Sequence, residues 1–405
     1  MTKKILFLNH EMVIGGAEGI LINYLNIAAS NPNYEVHLAL FQSIEKQNID
    51  RIDPRVDIEY LVTPAEDQFA RYTYWKTQDQ NILEKDKHYY RSWHDYIVNE
   101  RQERLLNKIN KENYDVIIDF LNTFGYFLKK EFLDKIKKPS IYWIHASRDF
   151  DIWLSKKEYY KSVLSHHSLF VSICEDMKRK SDIILKNELD LQEKETINIF
   201  NPVNIPEVIE MSNQEPLEGD QKLLDDDFIL QVARLYNANK NHTKMIDIFY
   251  KLKQKGIKEK LYIIGDGPSR KELEDKIKEL GLENECLLLG SRINPFPFMK
   301  RAKLFLHTSN FEGLPTVFIE SMICGTPVVA FNCPTGPREI LADGKYGELI
   351  PMGDEDLFVE KTYELLTNEE KRQHFISLLP QSYQRFSMEK ISEQFFQLIE
   401  DVTRK

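Results

Sequence analysis

Short apolar runs alternate, from one end of the chain to the other, with stretches whose apolar positions recur every three or four residues. In the first half the runs are Ile5–Asn9, Tyr34–Phe41, Val56–Val62, Asp115–Leu121, Ser140–His145, Leu169–Cys174 and Thr196–Phe200. In the second half they are Phe228–Ala233, Lys260–Gly265, Cys286–Gly290, Lys303–Thr308, Pro327–Phe331 and Gly347–Ile350. Several are apolar almost throughout, as expected of strands covered on both faces. Helical patterns such as Ala17–Ala29 and Glu175–Glu188 separate most of them. This alternation predicts mostly parallel, doubly wound α/β sheets.

The rhythm breaks at two places. Residues 203–225, with Asn204-Ile205-Pro206-Glu207 and Glu215-Pro216-Leu217-Glu218-Gly219-Asp220, are acidic and proline-containing and read as a linker. They divide a Rossmann-like domain over 1–202 from a second over 226–387. The tail, Glu369–Ser387 and Met388–Lys405, reads as helical, and 388–405 is expected to cross back onto the first domain. The other break, 65–108, reads as a helical insertion mixing aromatic and basic side chains: Arg71, Tyr72, Tyr74, Trp75, Lys76, Tyr89, Tyr90, Arg91, Trp93 and Tyr96. Two readings stay open there. Such a mixture suits a lipid headgroup boundary or an acceptor sugar, and it equally suits helices packing their aromatics on their own domain. Two open α/β domains facing a central cleft would direct their strand ends into it, so function belongs in the loops after strands.

Composition narrows the field. At 405 residues the chain exceeds one ordinary core and fits two domains. A hydrophobic content of 42% with 23 Phe and 19 Tyr excludes a disordered chain. The net charge of −10 argues against a nucleic-acid partner. Cys174, Cys286, Cys324 and Cys333 are scattered, without CxxC or metal-ligand spacing, the usage of a reducing cytoplasm. No apolar stretch approaches the ~18 residues of a membrane span. The expected location is cytoplasmic, extending to the inner face of the cell membrane.

Several strand-end loops carry candidate chemistry. Glu312 and Glu320 bracket Gly313-Leu314-Pro315-Thr316-Val317, one carboxylate in the loop and the other about one turn into the next helix. The amides between them, at a helix N-terminus, suit a phosphate. Arg234 and Lys240 follow the run Phe228–Ala233 and can together clamp a diphosphate, Arg through its planar fork and Lys as a point charge. Their plainer reading is solvated surface cations. Gly265 in Gly265-Asp266-Gly267-Pro268 and Gly290 after Leu287-Leu288-Leu289 permit close backbone approach to a ligand, or only tight turns. Gly15-Gly16-Ala17-Glu18 precedes the first helix, but it is not GxGxxG, so no dinucleotide fingerprint is met. His145 ends its strand, a polar contact to substrate or a structural histidine. Neither a hydrolase elbow nor a Walker loop is found.

Taken together, these residues resemble the retaining glycosyltransferases of family 4, with GT-B architecture. The resemblance rests on Glu312-x7-Glu320 with Gly325-Thr326-Pro327-Val328-Val329, on Arg234 with Lys240-Asn241, and on Gly15-Gly16-Ala17-Glu18 and His145. It covers almost the whole chain except 65–108. By the family's roles, Arg234 and Lys240 would neutralise the donor diphosphate, assisted by amides of Gly313, Leu314, Thr316 and Val317 around Pro315. Glu312 would orient the donor sugar and Glu320 would bind the ribose. Arg292 and Ile293, after Gly290, would contact the base, with Gly265 nearby. Gly16 would face the phosphates or acceptor, and His145 the sugar or acceptor.

The wording Thr308-Ser309-Asn310-Phe311-Glu312-Gly313-Leu314-Pro315-Thr316, with Asn332-Cys333-Pro334-Thr335-Gly336-Pro337-Arg338-Glu339, is similar to bacterial enzymes of capsule, O-antigen, lipooligosaccharide and lipid-linked oligosaccharide synthesis. The resemblance thus implies transfer of a hexose or N-acetylhexosamine from a nucleotide diphosphate sugar, UDP-linked by family frequency. The acceptor would be a glycan or a polyprenyl- or lipid-linked sugar, with a membrane surface as a further contact. No cofactor and no metal are expected: two fixed cations and a helix N-terminus carry the leaving-group charge. Two rivals share the shape. A UDP-sugar 2-epimerase would cleave the same bond without an acceptor, and a two-lobed sugar-binding protein would perform no chemistry.

Overall fold

The computed structural model describes residues 2–12, 16–42, 49–217 and 219–404. It divides into two compact units, one of 1–199 with 392–405 and one of 200–391. In the first unit, β1 (Lys3–Asn9), β2 (Tyr34–Leu40), β3 (Asp57–Tyr60), β4 (Val116–Asp119), β5 (Ser140–Ile144), β6 (Leu169–Ser172) and β7 (Thr196–Asn198) form one parallel sheet in the order β3-β2-β1-β4-β5-β6-β7. Ile5 through Asn9 are fully buried, because helices cover both faces of the central strands. The direction of winding reverses between β1 and β4. A crevice opens at the C-terminal ends of strands at such a switch point.

The second unit repeats the plan. β8 (Phe228–Val232), β9 (Lys260–Ile264), β10 (Cys286–Gly290), β11 (Phe305–His307), β12 (Val328–Phe331) and β13 (Gly347–Ile350) form a parallel sheet in the order β10-β9-β8-β11-β12-β13. Its switch point lies between β8 and β11. All thirteen expected strands are present, with the helices Gly16–Ser30 and Glu175–Ile183, the latter continuing as a π-helical turn through Glu188. Two doubly wound Rossmann-like domains are therefore the fold.

Residues 203–225 are not a free linker but part of the second unit. Asn204 caps a helix, Ile205–Ser212, by accepting from the Glu207 amide at 3.4 Å. Ile205 and Val208 are buried as that helix packs on helices Phe296–Arg301 and Thr316–Ile323. Val203 donates its amide to the Phe386 carbonyl at 2.8 Å, and the Phe200 and Phe386 rings meet at 5.1 Å. The acidic, proline-bearing composition concealed these few apolar anchors.

The last helix, Met388–Thr403, leaves the second unit, and from Ser392 onward it belongs to the first. There the Phe395 ring lies 5.5 Å from Tyr24 and 6.3 Å from both Phe7 and Trp143. Lys3 pairs with Glu400 at 2.6 Å. The insertion over 65–108 is a pair of helices, Pro64–Gln78 and Glu84–Glu112. Ala70, Ile97 and Leu105 anchor it by burial, whereas Trp75 is 69% and Tyr89 60% exposed. Phe69 meets Trp93 at 5.9 Å and Tyr72 meets Tyr90 at 6.0 Å, so its aromatics pack helix on helix while much of their surface stays exposed.

Candidate functional site

At the end of β8 the chain must turn within a crowded corner. Gly265, after β9, holds a φ of +139°, and a Cβ there would stand 2.0 Å from the Ala233 carbonyl. Its amide donates to the Gly290 carbonyl at 3.0 Å. The missing side chain at Gly265 therefore lets three strand ends touch, a packing role that needs no ligand. Gly290, with φ +76°, closes the same corner. Arg234 emerges from it exposed, and among the described residues it enters no ion pair.

His242 fixes the Arg234 backbone. Burial pushes this imidazole down to about 4 against the bond to the Arg234 carbonyl, so at neutral pH it carries one ring hydrogen. Nε2–H donates to that carbonyl at 3.0 Å. Nδ1 must then accept, so the Gln231 amide, 2.9 Å away, presents its NH2 there. That orientation also removes the otherwise partnerless nitrogen of Gln231.

Lys240 ends the short helix Asn237–Lys240, and Asn241 turns the chain in the left-handed region, φ 51°, into helix His242–Gln254. Asparagine tolerates this conformation better than most residues. The loop after β11 is stitched to the same turn. Asn310 donates its amide to the Asn239 carbonyl at 2.8 Å, and the Thr308 hydroxyl donates to the Asn241 carbonyl at 3.0 Å.

Those stitches set the distance between Lys240 and Glu312. The ammonium donates to Glu312 Oε1 at 2.6 Å, and His307 Nε2–H donates to the same oxygen at 2.8 Å. Ser309 Oγ lies 2.7 Å from that ring nitrogen. Burial alone would raise the Glu312 carboxyl, but the His307 hydrogen bond and the Lys240 charge outweigh it and hold the group at about 2. Behind the loop, the Glu312 amide donates to the Pro334 carbonyl at 3.3 Å and the Thr335 hydroxyl donates to the Glu312 carbonyl. A Cβ on Gly336, φ +87°, would meet the Gly313 carbonyl at 2.5 Å.

Helix Thr316–Ile323 starts immediately after Pro315, whose fixed φ is ready for it. The Phe318 amide reaches the Pro315 carbonyl, but Thr316 and Val317 amides have no intrahelical acceptor. Glu320, about one turn in, meets no cation among the described residues. Burial pushes it up to about 7, opposed only by the Thr316 side chain. The two carboxylates thus lie at opposite ends of the pKa scale.

The remaining expected contacts divide between the two units. Arg292 is committed to Asp220, which receives Nε at 2.6 Å and Nη2 at 2.9 Å, so its guanidinium braces 219–220 against β10 and is not held free for a base. Ile293 beside it is 93% exposed. In the first unit, Gly16 opens its helix with open space around its α-carbon, and Gly15 lies outside the described residues. The His145 ring lies 4.3 Å from the Phe120 ring, tilted by 51°, and burial lowers it to about 3. Its Nε2 is buried without a protein partner. Sequence reading missed His307, Ser309, His242 and Thr335. The polar tail of an apolar strand, Leu306-His307-Thr308-Ser309, was the available signal.

Residues 214–378 match the family described as glycosyl transferases group 1. Over 206 residues the chain is 32% identical to a Campylobacter jejuni N-acetylgalactosamine-N,N'-diacetylbacillosaminyl-diphospho-undecaprenol 4-alpha-N-acetylgalactosaminyltransferase, covering 48% of this chain and 54% of that protein. Over 192 residues it is 31% identical to the lipopolysaccharide 1,6-galactosyltransferase of Salmonella typhimurium, covering 46% and 50%. The chain spans about half the length of the curated relatives it matches. The crystal structure of Anabaena HepE in complex with UDP superposes with a TM-score of 0.73 at 20% identity, over 98% of this chain and 100% of that one. At that identity the likeness establishes the fold, the GT-B type.

Proposed function

We propose that the protein is a retaining glycosyltransferase that moves a hexose or N-acetylhexosamine from a UDP-linked donor to a glycan or polyprenyl-linked acceptor during bacterial surface-glycan synthesis. One observation carries the reading: Lys240 and Glu312 pair at 2.6 Å beside the β8/β11 switch point, with Arg234 in the loop after β8 and the first amides of helix Thr316–Ile323 in the segment after β11. The names of the relatives, which act on undecaprenyl-linked sugars and on lipopolysaccharide, support the acceptor class.

In this reading the diphosphate lies on the Thr316 and Val317 amides, where the helix dipole favours an anion. Arg234 supplies the uncompensated positive charge. Lys240 is half-neutralised by Glu312, so it both contacts phosphate and orients the carboxylate. Glu312 Oε1 is occupied by Lys240 and His307, which leaves Oε2 to accept from the sugar's hydroxyls. Glu320 accepts from the ribose hydroxyls. As the sugar–phosphate bond breaks, charge grows on the leaving oxygen and the fixed cations stabilise it. The acceptor hydroxyl attacks from the same face, its oxygen bonds to the anomeric carbon, and its proton passes to the leaving phosphate oxygen.

Calorimetric titration of UDP, followed by a panel of UDP-sugars with and without acceptor glycan, tests this. A ligand at 100-fold its Kd should add about 2.7 kcal/mol of stability. Absence of UDP binding at millimolar concentration refutes the reading, and isomerised donor without acceptor would make it an epimerase.

A further inference from the structure

The last helix covers the sheet of the first unit only in part. Its Phe395 ring meets Phe7 of β1 and Trp143 of β5, which leaves the far side of the sheet beyond it. There β7 is the edge strand, and side chains along a strand alternate between its two faces. Ile197 and Ile199 share one face, and both line a trough of about 630 Å³ between β7 and the helix. Leu169, at the start of β6, extends the sheet wall, while Leu398 and Val402, one turn apart, form the helix wall. Pro139, Ser168 and Glu195, each immediately before a strand, close one end. Lys3 at the start of β1 pairs with Glu400, which brings the last turn of the helix to that same end. The trough thus begins where the strands begin, whereas His145 lies past the opposite end of β5. It belongs wholly to the first unit.

Charge and size narrow the occupant. The charged residues that line the trough, Glu195, Glu393 and Asp401, are all acidic, and no Lys or Arg among the described residues lines it. The cations that adjoin it in the chain are held elsewhere: Lys138 donates to Asn113 Oδ1 at 2.6 Å and Lys194 to the Ser165 carbonyl at 2.9 Å. Asn198, also in the lining, keeps its Oδ1 buried with no hydrogen-bond partner, a further acceptor in want of a donor. The volume falls in the range of about 300–1,000 Å³ usual for small-molecule sites. A stable protein partner needs roughly 20–30 residues on each side, and thirteen line this trough.

We propose that the trough between β7 and the last helix binds a small amphipathic cation, an apolar body carrying an ammonium group. The body lies between Ile197 and Leu398, where it removes apolar surface from water. The ammonium sits at the strand-start end, where Glu195 and Asp401 accept from it as charge-assisted hydrogen bonds. A carboxylate on the same body meets only like charge and is refused. The site is separate from the sugar-transfer reading and does not rest on it.

Full-length protein with labelled isoleucine methyls provides the test, with Ile197→Val and Ile199→Val assigning the resonances. It is titrated with phenylbutylamine, phenylbutanol and phenylbutyrate, which share one apolar body and differ in charge. The amine should move the Ile197 and Ile199 methyls, the alcohol should bind roughly 10-fold more weakly, and the carboxylate should leave them in place. The double variant Glu195→Gln with Asp401→Asn changes two exposed side chains without altering their shape. It should weaken the amine roughly 10-fold or more and leave the alcohol unaffected. UDP affinity should be the same with and without the amine. Amine and alcohol bound alike, methyls that stay still, or a response to a basic peptide but not to the amine would each overturn the proposal. Failure of UDP to bind would strike the transfer reading and leave this site standing.

Discussion

Glu320 offers a measurable conflict between stability and ligand binding. Burial lifts its carboxyl from 4.5 to about 7, with the Thr316 hydroxyl as its only compensating contact. The folded protein therefore holds its proton more tightly than the unfolded chain does, and stability must fall as pH rises from about 4.5 to about 7. At 1.36 kcal/mol for each step of one in pKa, the full penalty is ~3 kcal/mol. Partial exposure of the residue brings this to about 2–3 kcal/mol. Glu320→Gln keeps the shape and removes the charge. At pH 8 the variant should be more stable by that amount, raising the melting temperature by roughly 5–10 °C. At pH 5, where wild-type Glu320 is already largely protonated in the fold, the gain should shrink below ~1 kcal/mol. Urea titrations at the two pH values, paired with UDP calorimetry, make the assay. UDP affinity should fall even as stability rises, since an amide cannot match a carboxylate accepting from two hydroxyls. Equal stabilisation at both pH values, or destabilisation at pH 8, would refute the reasoning.

Other consequences follow from the same corner. Arg234→Ala should cut turnover ~10²–10³-fold, with stability changed by less than about 0.5 kcal/mol because the side chain is exposed; comparing transfer rates with denaturation midpoints checks both halves. Lys240→Met strips Glu312 of its ammonium partner and should cost about 1–3 kcal/mol at pH 7. Glu312 is held at about 2, so its contribution is present above 4.5 and lost as the solution is acidified; the difference between wild type and Lys240→Met should narrow toward pH 2 in acid-denaturation curves. Gly336→Ala places a methyl against the Gly313 carbonyl at a left-handed backbone angle. It should cost about 1–3 kcal/mol and weaken UDP binding, because the displaced loop carries Glu312.

Much of this architecture was legible beforehand. Parallel strands buried on both faces need nearly unbroken apolar runs, and helices between them need a different period, so each strand announced itself. The stretch 203–225 misled because its three buried apolar residues, Val203, Ile205 and Val208, matter more there than its overall acidity. His307 went unnoticed because, at the end of an apolar strand, it reads as core until a carboxylate from the following loop is seen beside it. Arg292 looked available because nothing local reveals Asp220, 72 residues away.

Chain order and residue type alone determined the two doubly wound sheets, the loops at their ends and the inventory of charges those loops carry. Which charges are free was decided only in three dimensions. Glu312 and Glu320 are the same residue type eight positions apart, yet one is held at about 2 and the other pushed up to about 7. The difference is that Lys240, more than seventy residues upstream, and His307 fold against one carboxylate while, among the described residues, no cation pairs with the other. Coulomb energy depends on distance in space and on local screening by water, and a sequence specifies neither until it has folded.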